Sequence, residues 1–208
     1  MKKNKTLLIT SFLCLVPLIF SAIVYSKLPE QLVVHWSSDN TPDGYLPKLI
    51  GAFGLPIFMA VLNLIIHISL DNDPRRCTSA PALPLLGKWA VPVLTLILMP
   101  VTLLWNLDHK LSIDKIVMLL VGIVFIVTGN YLPKSKQNYT IGIKLPWTLH
   151  SEENWNRTHH LAGYLWIVGG IVMIFGMFFP MPLLSLAIIF VLVLVPAVYS
   201  FLLYKKGI

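Results

Sequence analysis

The sequence predicts an all-α membrane protein: a bundle of six transmembrane helices with both termini in the cytoplasm, a small extracellular element and a partly ordered cytoplasmic loop. Three observations carry that expectation. First, only 12% of the 208 residues are charged and 56% are hydrophobic, where a soluble domain carries about 25% charged residues. Second, the apolar residues come in blocks of about 20, the length a helix needs to cross lipid at 1.5 Å per residue. Third, the basic residues lie between the blocks and are unevenly shared. With the N-terminus inside, only Lys27, Lys48, Lys110 and Lys115 of the 16 basic residues fall outside, as the positive-inside rule requires for short loops. An odd number of spans would scramble that division. The net charge of +7 is therefore read as topology, and no direct nucleic-acid partner is expected.

Taken in order, the expected spans are 7–26, 49–70, 89–107, 115–132, 161–179 and 182–204. The first follows Lys2, Lys3 and Lys5. It is longer than a signal-peptide core of about 7–15 residues and lacks an A-x-A site, so it is read as a retained span. The fourth is the shortest, and the last two are separated only by a tight Phe179-Pro180-Met181-Pro182 hairpin. Pro17, Pro56, Pro92, Pro100 and Pro196 fall inside spans and are expected to kink them. Cys14 lies in a span and Cys77 in a predicted inside loop, which argues against a disulfide. The domain division expected is 1–107, carrying three spans and the extracellular 27–48 element, and 108–208, carrying three spans and the 130–160 segment.

Two segments are neither spans nor simple linkers. Outside, Gln31 to Trp36 reads as a short extended stretch, and Pro42-Asp43-Gly44 fits a β-turn, with proline fixing φ and glycine supplying freedom. A positive φ is expected at Gly44, and Ser38 serves as the tolerant comparison. Inside, 130–160 is too long for an idle connection. Pro133 and Pro146 force extended or turn backbone before them. Ser151 is placed to cap a helix whose first turn holds Glu152 and Glu153, and Trp155 is expected at the membrane interface as an anchor.

Within that inside segment, Gly129-Asn130-x-Leu132-Pro133-Lys134 is followed by Asn138, Gly142-Ile143-Lys144-Leu145-Pro146-Trp147-Thr148-Leu149, and then Trp155, Arg157-Thr158-His159-His160 and Ala162-Gly163. This pattern closely resembles the signature of the SdpI family, bacterial immunity proteins against a secreted, membrane-killing peptide toxin. The family pattern has arginine, threonine and arginine where this chain has Lys144, Leu145 and His160, and lysine loses the bidentate fork of arginine. The outside segment, with Leu28-Pro29, His35-Trp36 and Pro42-Asp43-Gly44, resembles a companion domain of the same family.

The resemblance implies a multi-pass protein of the bacterial plasma membrane, with lipid and a secreted peptide toxin as partners. It also implies a second role, holding a cytoplasmic ArsR-type repressor at the membrane. The partner-binding residues it implies are Asn130, Pro133, Lys134, Asn138, Gly142, Lys144, Pro146, Trp147, Thr148, Trp155, Arg157, Thr158 and His159. The expected toxin-facing residues are His35, Trp36, Pro42, Asp43, Gly44 and Tyr45.

The residues leave a rival reading open. Asn63, His67 and Asp71 sit four apart on one face of the second span, and ionisable groups there are functional suspects. They would suit a small transporter or a membrane-embedded enzyme, or else His67 and Asp71 simply reach the headgroups. No catalytic constellation, cofactor or metal is expected. HExxH, CxxC and phosphate-cradling loops are absent from the sequence. Adjacent His159 and His160 would point about 100° apart on a helix, and nothing orients His150 against Ser151.

Overall fold

The computed structural model describes residues 2–37, 40–74, 82–109, 111–179 and 183–208, without the side chains of 2–4. Cys77, Ser38, Lys110 and the proposed Pro180-Met181-Pro182 hairpin lie outside the described residues. Eight α-helices are described: α1 (Lys2–Leu15), α2 (Pro17–Val24), α3 (Leu55–Asp71), α4 (Ala82–Asn106), α5 (Ile113–Tyr131), α6 (Pro146–His150), α7 (Glu152–Gly176) and α8 (Leu184–Lys205). Two antiparallel strands, β1 (Gln31–Trp36) and β2 (Pro42–Pro47), form the one sheet described. Among the described residues, six helical stretches are long and apolar enough to cross a membrane: Lys5–Lys27, Ile50–Asp71, Ala82–Asn106, Ile113–Lys134, Glu152–Gly176 and Leu184–Lys205. The protein is thus an all-α multi-pass membrane protein bearing one small hairpin.

The spans differ from expectation in detail. The fourth is 22 residues long, equal to the second and sixth, because the turn Leu132–Lys134 continues the helix. The fifth begins at Glu152, nine residues early, because the Ser151-capped helix and the span are one uninterrupted α7. All five prolines fall inside the six stretches, Pro92 and Pro100 within α4 and Pro196 within α8. Pro17 follows Val16, which is itself helical (φ −52°, ψ −40°) and bonded to the Phe12 carbonyl at 3.1 Å, and Pro56 follows the π-turn Ile50–Gly54, so both also lie within the continuous stretches Lys5–Lys27 and Ile50–Asp71. At both positions the missing N–H interrupts the i→i−4 ladder of a continuous span.

The chain divides into two compact units, Met1–Ser69 with Gly87–Asp114, and Leu70–Leu86 with Lys115–Ile208. In the first, the hairpin sits on an apolar core of Val24, Leu28, Leu32, Ala52 and Leu103. A π-turn over Ile50–Gly54 presses Gly51 against Leu32, and the Ser21 hydroxyl donates to the Ala52 carbonyl at 2.7 Å.

In the second unit, α5 and α7 approach through glycines spaced seven apart on each helix. A Cβ on Gly129 would stand 2.8 Å from the Gly163 carbonyl oxygen, and one on Gly170 would stand 2.6 Å from that of Gly122. Small residues let backbones come this close where lipid gives helices no hydrophobic reason to associate. Helix α8 packs along α7, with Gly169 against Leu192.

Candidate functional site

The 130–160 segment is built around side chains that satisfy its own irregular backbone. Asn138 is the hub of the first half. Its Oδ1 accepts the backbone N–H groups of Thr140 (3.0 Å) and Ile141 (2.7 Å), while its Nδ2 donates to the Lys136 carbonyl at 2.9 Å. Thr148 closes the second half. Its hydroxyl accepts the Leu145 N–H at 2.9 Å and donates to the Ile143 carbonyl at 2.8 Å, fixing the entry to α6. Gln137 reaches across to the Thr148 carbonyl at 2.8 Å. The asparagine and threonine types are what such loops need, because a short side chain can stand in for a backbone partner.

Helix α7 supplies the floor. Ser151 caps it as expected, accepting the Asn154 N–H at 3.1 Å. Trp155 is fully buried rather than interfacial. Its indole N–H donates to the Ser135 carbonyl at 2.7 Å, and its ring stacks on His159 with centroids 3.9 Å apart. The expectation of a membrane-interface anchor fails here because the loop folds back over the ring and offers its N–H a better partner than a headgroup.

The His159 tautomer follows from its neighbours. Nδ1–H donates to the Trp155 carbonyl (2.8 Å), and Nε2 accepts the Ile143 N–H (3.0 Å). Both ring nitrogens are used, and His160 points elsewhere, edge-on to Tyr164. Gly142, at φ +118°, lies directly on these two rings, where a Cβ would collide with the His159 Nε2 atom. Pro133 rests on Gly163, with a Cβ there 2.6 Å from the proline ring.

Trp147 is held on α8. Its N–H donates to Ser200 Oγ at 2.8 Å and its ring stacks on Tyr204. Asn154 donates to the Ser200 carbonyl at 3.0 Å and accepts from the Thr158 hydroxyl at 3.1 Å. Of the thirteen residues implied for partner binding, then, Asn138, Thr148, Trp155, Thr158 and His159 are interior. They shape the segment and are not available to a partner. Asn130, Lys134, Lys144, Pro146 and Arg157 are exposed. Lys136 and Tyr139, which the sequence argument did not single out, are exposed beside them. Lys144 donates to the Tyr139 and Thr140 carbonyls at 3.3 and 3.1 Å, and Asp73 accepts from the Thr140 hydroxyl and from the Tyr139 N–H at 3.1 Å.

In the first unit, β1 matches the expected extended stretch, but Pro42-Asp43-Gly44 is not the turn. These residues begin β2, opposite His35 and Trp36 at an irregular register. The chain reverses across Ser37 and Thr41, where the Ser37 N–H donates to the Thr41 carbonyl at 2.9 Å. The positive φ belongs to Asn40 (64°) and not to Gly44. Glycine at 44 answers to contact instead, since a Cβ there would stand 2.6 Å from the His35 Cβ.

His35 and Asp43 pair through Nδ1 and Oδ1 at 2.5 Å on the exposed face. Tyr45 is exposed, and Trp36 packs edge-on against Trp105. Two asparagines missed in the sequence dock the hairpin. The Asn106 side chain accepts the Val33 N–H (2.8 Å) and donates to the Val33 carbonyl (3.0 Å), acting as a one-residue strand on the outer edge of β1. Asn40 Oδ1 accepts the N–H groups that open α5, Ile113 and Asp114, at 3.1 and 3.3 Å.

The polar stripe of the second span is a helix–helix contact within the first unit. Thr10 Oγ1 meets His67 Nε2 at 3.0 Å, and Asn63 Nδ2 donates to Thr10 and Ser11 hydroxyls at 3.1 and 3.0 Å. His67 is buried on α1 and does not reach headgroups, while Asp71, at the end of α3, is half-buried. His150 bonds the Pro146 carbonyl and Ser151 serves as a cap, so the two do not form a nucleophile–base pair. Among the described residues, no group of three or more His, Cys, Asp or Glu gathers in a way that could hold a metal ion.

With that geometry in place, comparison with known proteins finds residues 134–200 matching the SdpI/YfhL protein family. That match lies in the second half of the chain. Residues 12–60 match a domain of unknown function, DUF1648, which covers the hairpin, α2 and the adjoining ends of α1 and α3. The immunity protein SdpI of Bacillus subtilis is 29% identical over 99% of this chain and 98% of its own length. No solved structure matches. The SdpI match starts at Lys134, immediately after Pro133, and runs through the Asn138, Thr148 and Trp155 network to Ser200, so it coincides with the hydrogen-bonded framework described above.

Proposed function

We propose that this chain is a non-enzymatic immunity protein of the bacterial plasma membrane, with both termini in the cytoplasm, protecting the cell from a secreted, membrane-active peptide toxin. The observation that carries the reading is end-to-end similarity to a protein named for immunity. That similarity joins two separately folded elements, the hairpin and the 130–160 segment. In this reading the hairpin meets toxin outside through the exposed His35–Asp43 pair and Tyr45. The 130–160 segment presents Lys134, Lys136, Tyr139 and Lys144 to a cytoplasmic partner, an ArsR-type repressor. Trp155 and His159 hold that surface in shape from beneath.

Expression in a toxin-sensitive strain tests this directly. The wild-type chain should confer survival. Replacing Lys134, Lys136 and Lys144 together by glutamine should leave membrane abundance unchanged and abolish repressor recruitment. Trp155→Ala should lower abundance itself, because truncating a buried aromatic costs about 3–5 kcal/mol. Failure of the abundant wild-type chain to protect would overturn the immunity reading. The rival transporter reading would gain if toxin-free vesicles showed a flux that depended on His67, whose buried contacts with α1 otherwise serve helix association.

A further inference from the structure

On the exposed flank of α7, Asn156, Arg157, His160 and Tyr164 line an open groove of about 460 Å³ with Leu161 and with Tyr199 of α8. Of its lining, the family resemblance implies only Arg157 for partner binding, and the proposed toxin and repressor surfaces do not use it. We propose that it is a binding site for the phosphate headgroup of an anionic phospholipid, with the acyl chains running down the α7–α8 surface.

The argument begins with depth. The first turns of α7 expose Glu152, Glu153, Asn156 and Arg157. From Tyr164 onward the exposed positions are apolar: Val168, Ile171, Val172 and Phe175. The change from polar to apolar therefore takes the seven residues between Arg157 and Tyr164, about 10 Å of helix at 1.5 Å per residue, which is on the scale of a bilayer's interfacial zone. The groove lies across this boundary, the depth at which a phosphodiester sits.

The chemistry agrees with the depth. Arg157 and His160 occupy the polar end, one turn apart on the same face. A guanidinium offers five donors in a planar fork matched to phosphate, and the imidazole of exposed His160 adds another donor. Arg157 already meets Glu153 at 2.6 Å, but both partners are about half exposed. Such a surface pair is weak and occupies one arm of the fork. Tyr164 and Tyr199 supply the amphipathic rings favoured where acyl chain meets headgroup. Leu161 and, beyond it, Val168 continue the groove into the lipid-facing surface. Basic pockets on membrane helices are a recognised setting for anionic headgroups. A zwitterionic lipid would bring a choline or ethanolamine cation toward Arg157 and lose the charge match.

The test uses the full chain in neutral detergent and follows its apparent melting temperature as lipid is added. Phosphatidylglycerol should raise it at a concentration at least tenfold below that at which phosphatidylcholine has an effect. Arg157→Gln and His160→Gln should each erase most of that preference, whereas Lys27→Gln, which removes the same net charge as Arg157→Gln far along the sequence, should retain it. Native mass spectrometry should show the matching loss of bound phosphatidylglycerol. Equal stabilisation by the two lipids, or a preference that survives both groove substitutions, would overturn the proposal. Inorganic phosphate that reproduces the full shift would make the site one for soluble phosphate and overturn the lipid assignment. All three results are independent of toxin survival, so they stand or fall apart from the immunity reading.

Discussion

Adjacent histidines in α7 have opposite fates, and their difference shows what single side chains contribute. His159 is buried and stacked on Trp155, and its Nε2 atom accepts the Ile143 N–H. His160 is exposed and touches Tyr164. His159→Phe would keep the stacking but leave the part-buried Ile143 N–H without its Nε2 acceptor, a loss of about 1–3 kcal/mol. His160→Phe should stay within about 0.5 kcal/mol in detergent free of anionic lipid. Thermal unfolding of the two variants side by side checks this, and equal melting temperatures would contradict the hydrogen-bonding role of His159. The sequence marked the His-His pair and Gly142 without distinguishing them. The 100° between adjacent helical residues says that one faces in and the other out, but choosing between them needs the loop that returns over α7. The same return explains why Trp155 reads as an interfacial anchor in the sequence and is interior in the fold: its sequence neighbours are polar, and its burial comes from Ser135 and Gly142, twenty and thirteen positions upstream.

At the scale of elements, the helices were legible because 20-residue apolar blocks have few alternatives, while their contacts were not. Gly122, Gly129, Gly163 and Gly170 look like scattered small residues until α5 and α7 are laid antiparallel, when Gly129 meets Gly163 and Gly122 meets Gly170. Adding side chains there forces the backbones apart. Gly122→Val or Gly170→Val should cost at least about 1–3 kcal/mol, the usual penalty of overpacking. Ile123→Ala, at an exposed neighbouring position, should cost far less. Membrane abundance and melting temperature in detergent read out both, and an unaffected Gly170→Val protein would show that the close approach is not required. The hairpin carries a parallel lesson. The extended reading of Gln31–Trp36 matches β1, and proline with glycine suggested a turn at 42–44. The turn instead falls on Asn40, whose side chain tolerates positive φ and caps the start of α5 at the same time. Neither Asn40 nor Asn106 could be picked from the sequence, because each acts on a partner 73 positions away.

For the whole molecule, the strongest sequence argument is also the one that folding alone does not decide: which side of the membrane each loop occupies. If all six stretches cross the bilayer, the hairpin and the 130–160 segment face opposite sides, because three of the stretches lie between them in sequence. The basic residues then choose the direction. Lys134, Lys136 and Lys144 crowd the 130–160 segment, and the 27–48 element holds only Lys27 and Lys48. Each lysine near a helix end resists translocation, so the side with the greater basic charge is expected to face the cytoplasm. This is testable with exposed positions that hold no framework contact. In a Cys14→Ala, Cys77→Ala background, Tyr45→Cys should react with an impermeant thiol reagent in intact cells. Lys136→Cys should react only after permeabilisation. Tyr45 is 55% exposed and Lys136 is exposed, so silence at either would come from the membrane and not from burial. The reverse pattern would invert the orientation and, with it, the assignment of toxin to the hairpin and of repressor to the 130–160 segment. Labelling of both in intact cells would mean that the number of spans between them is even, which would remove one of the six helices from the membrane.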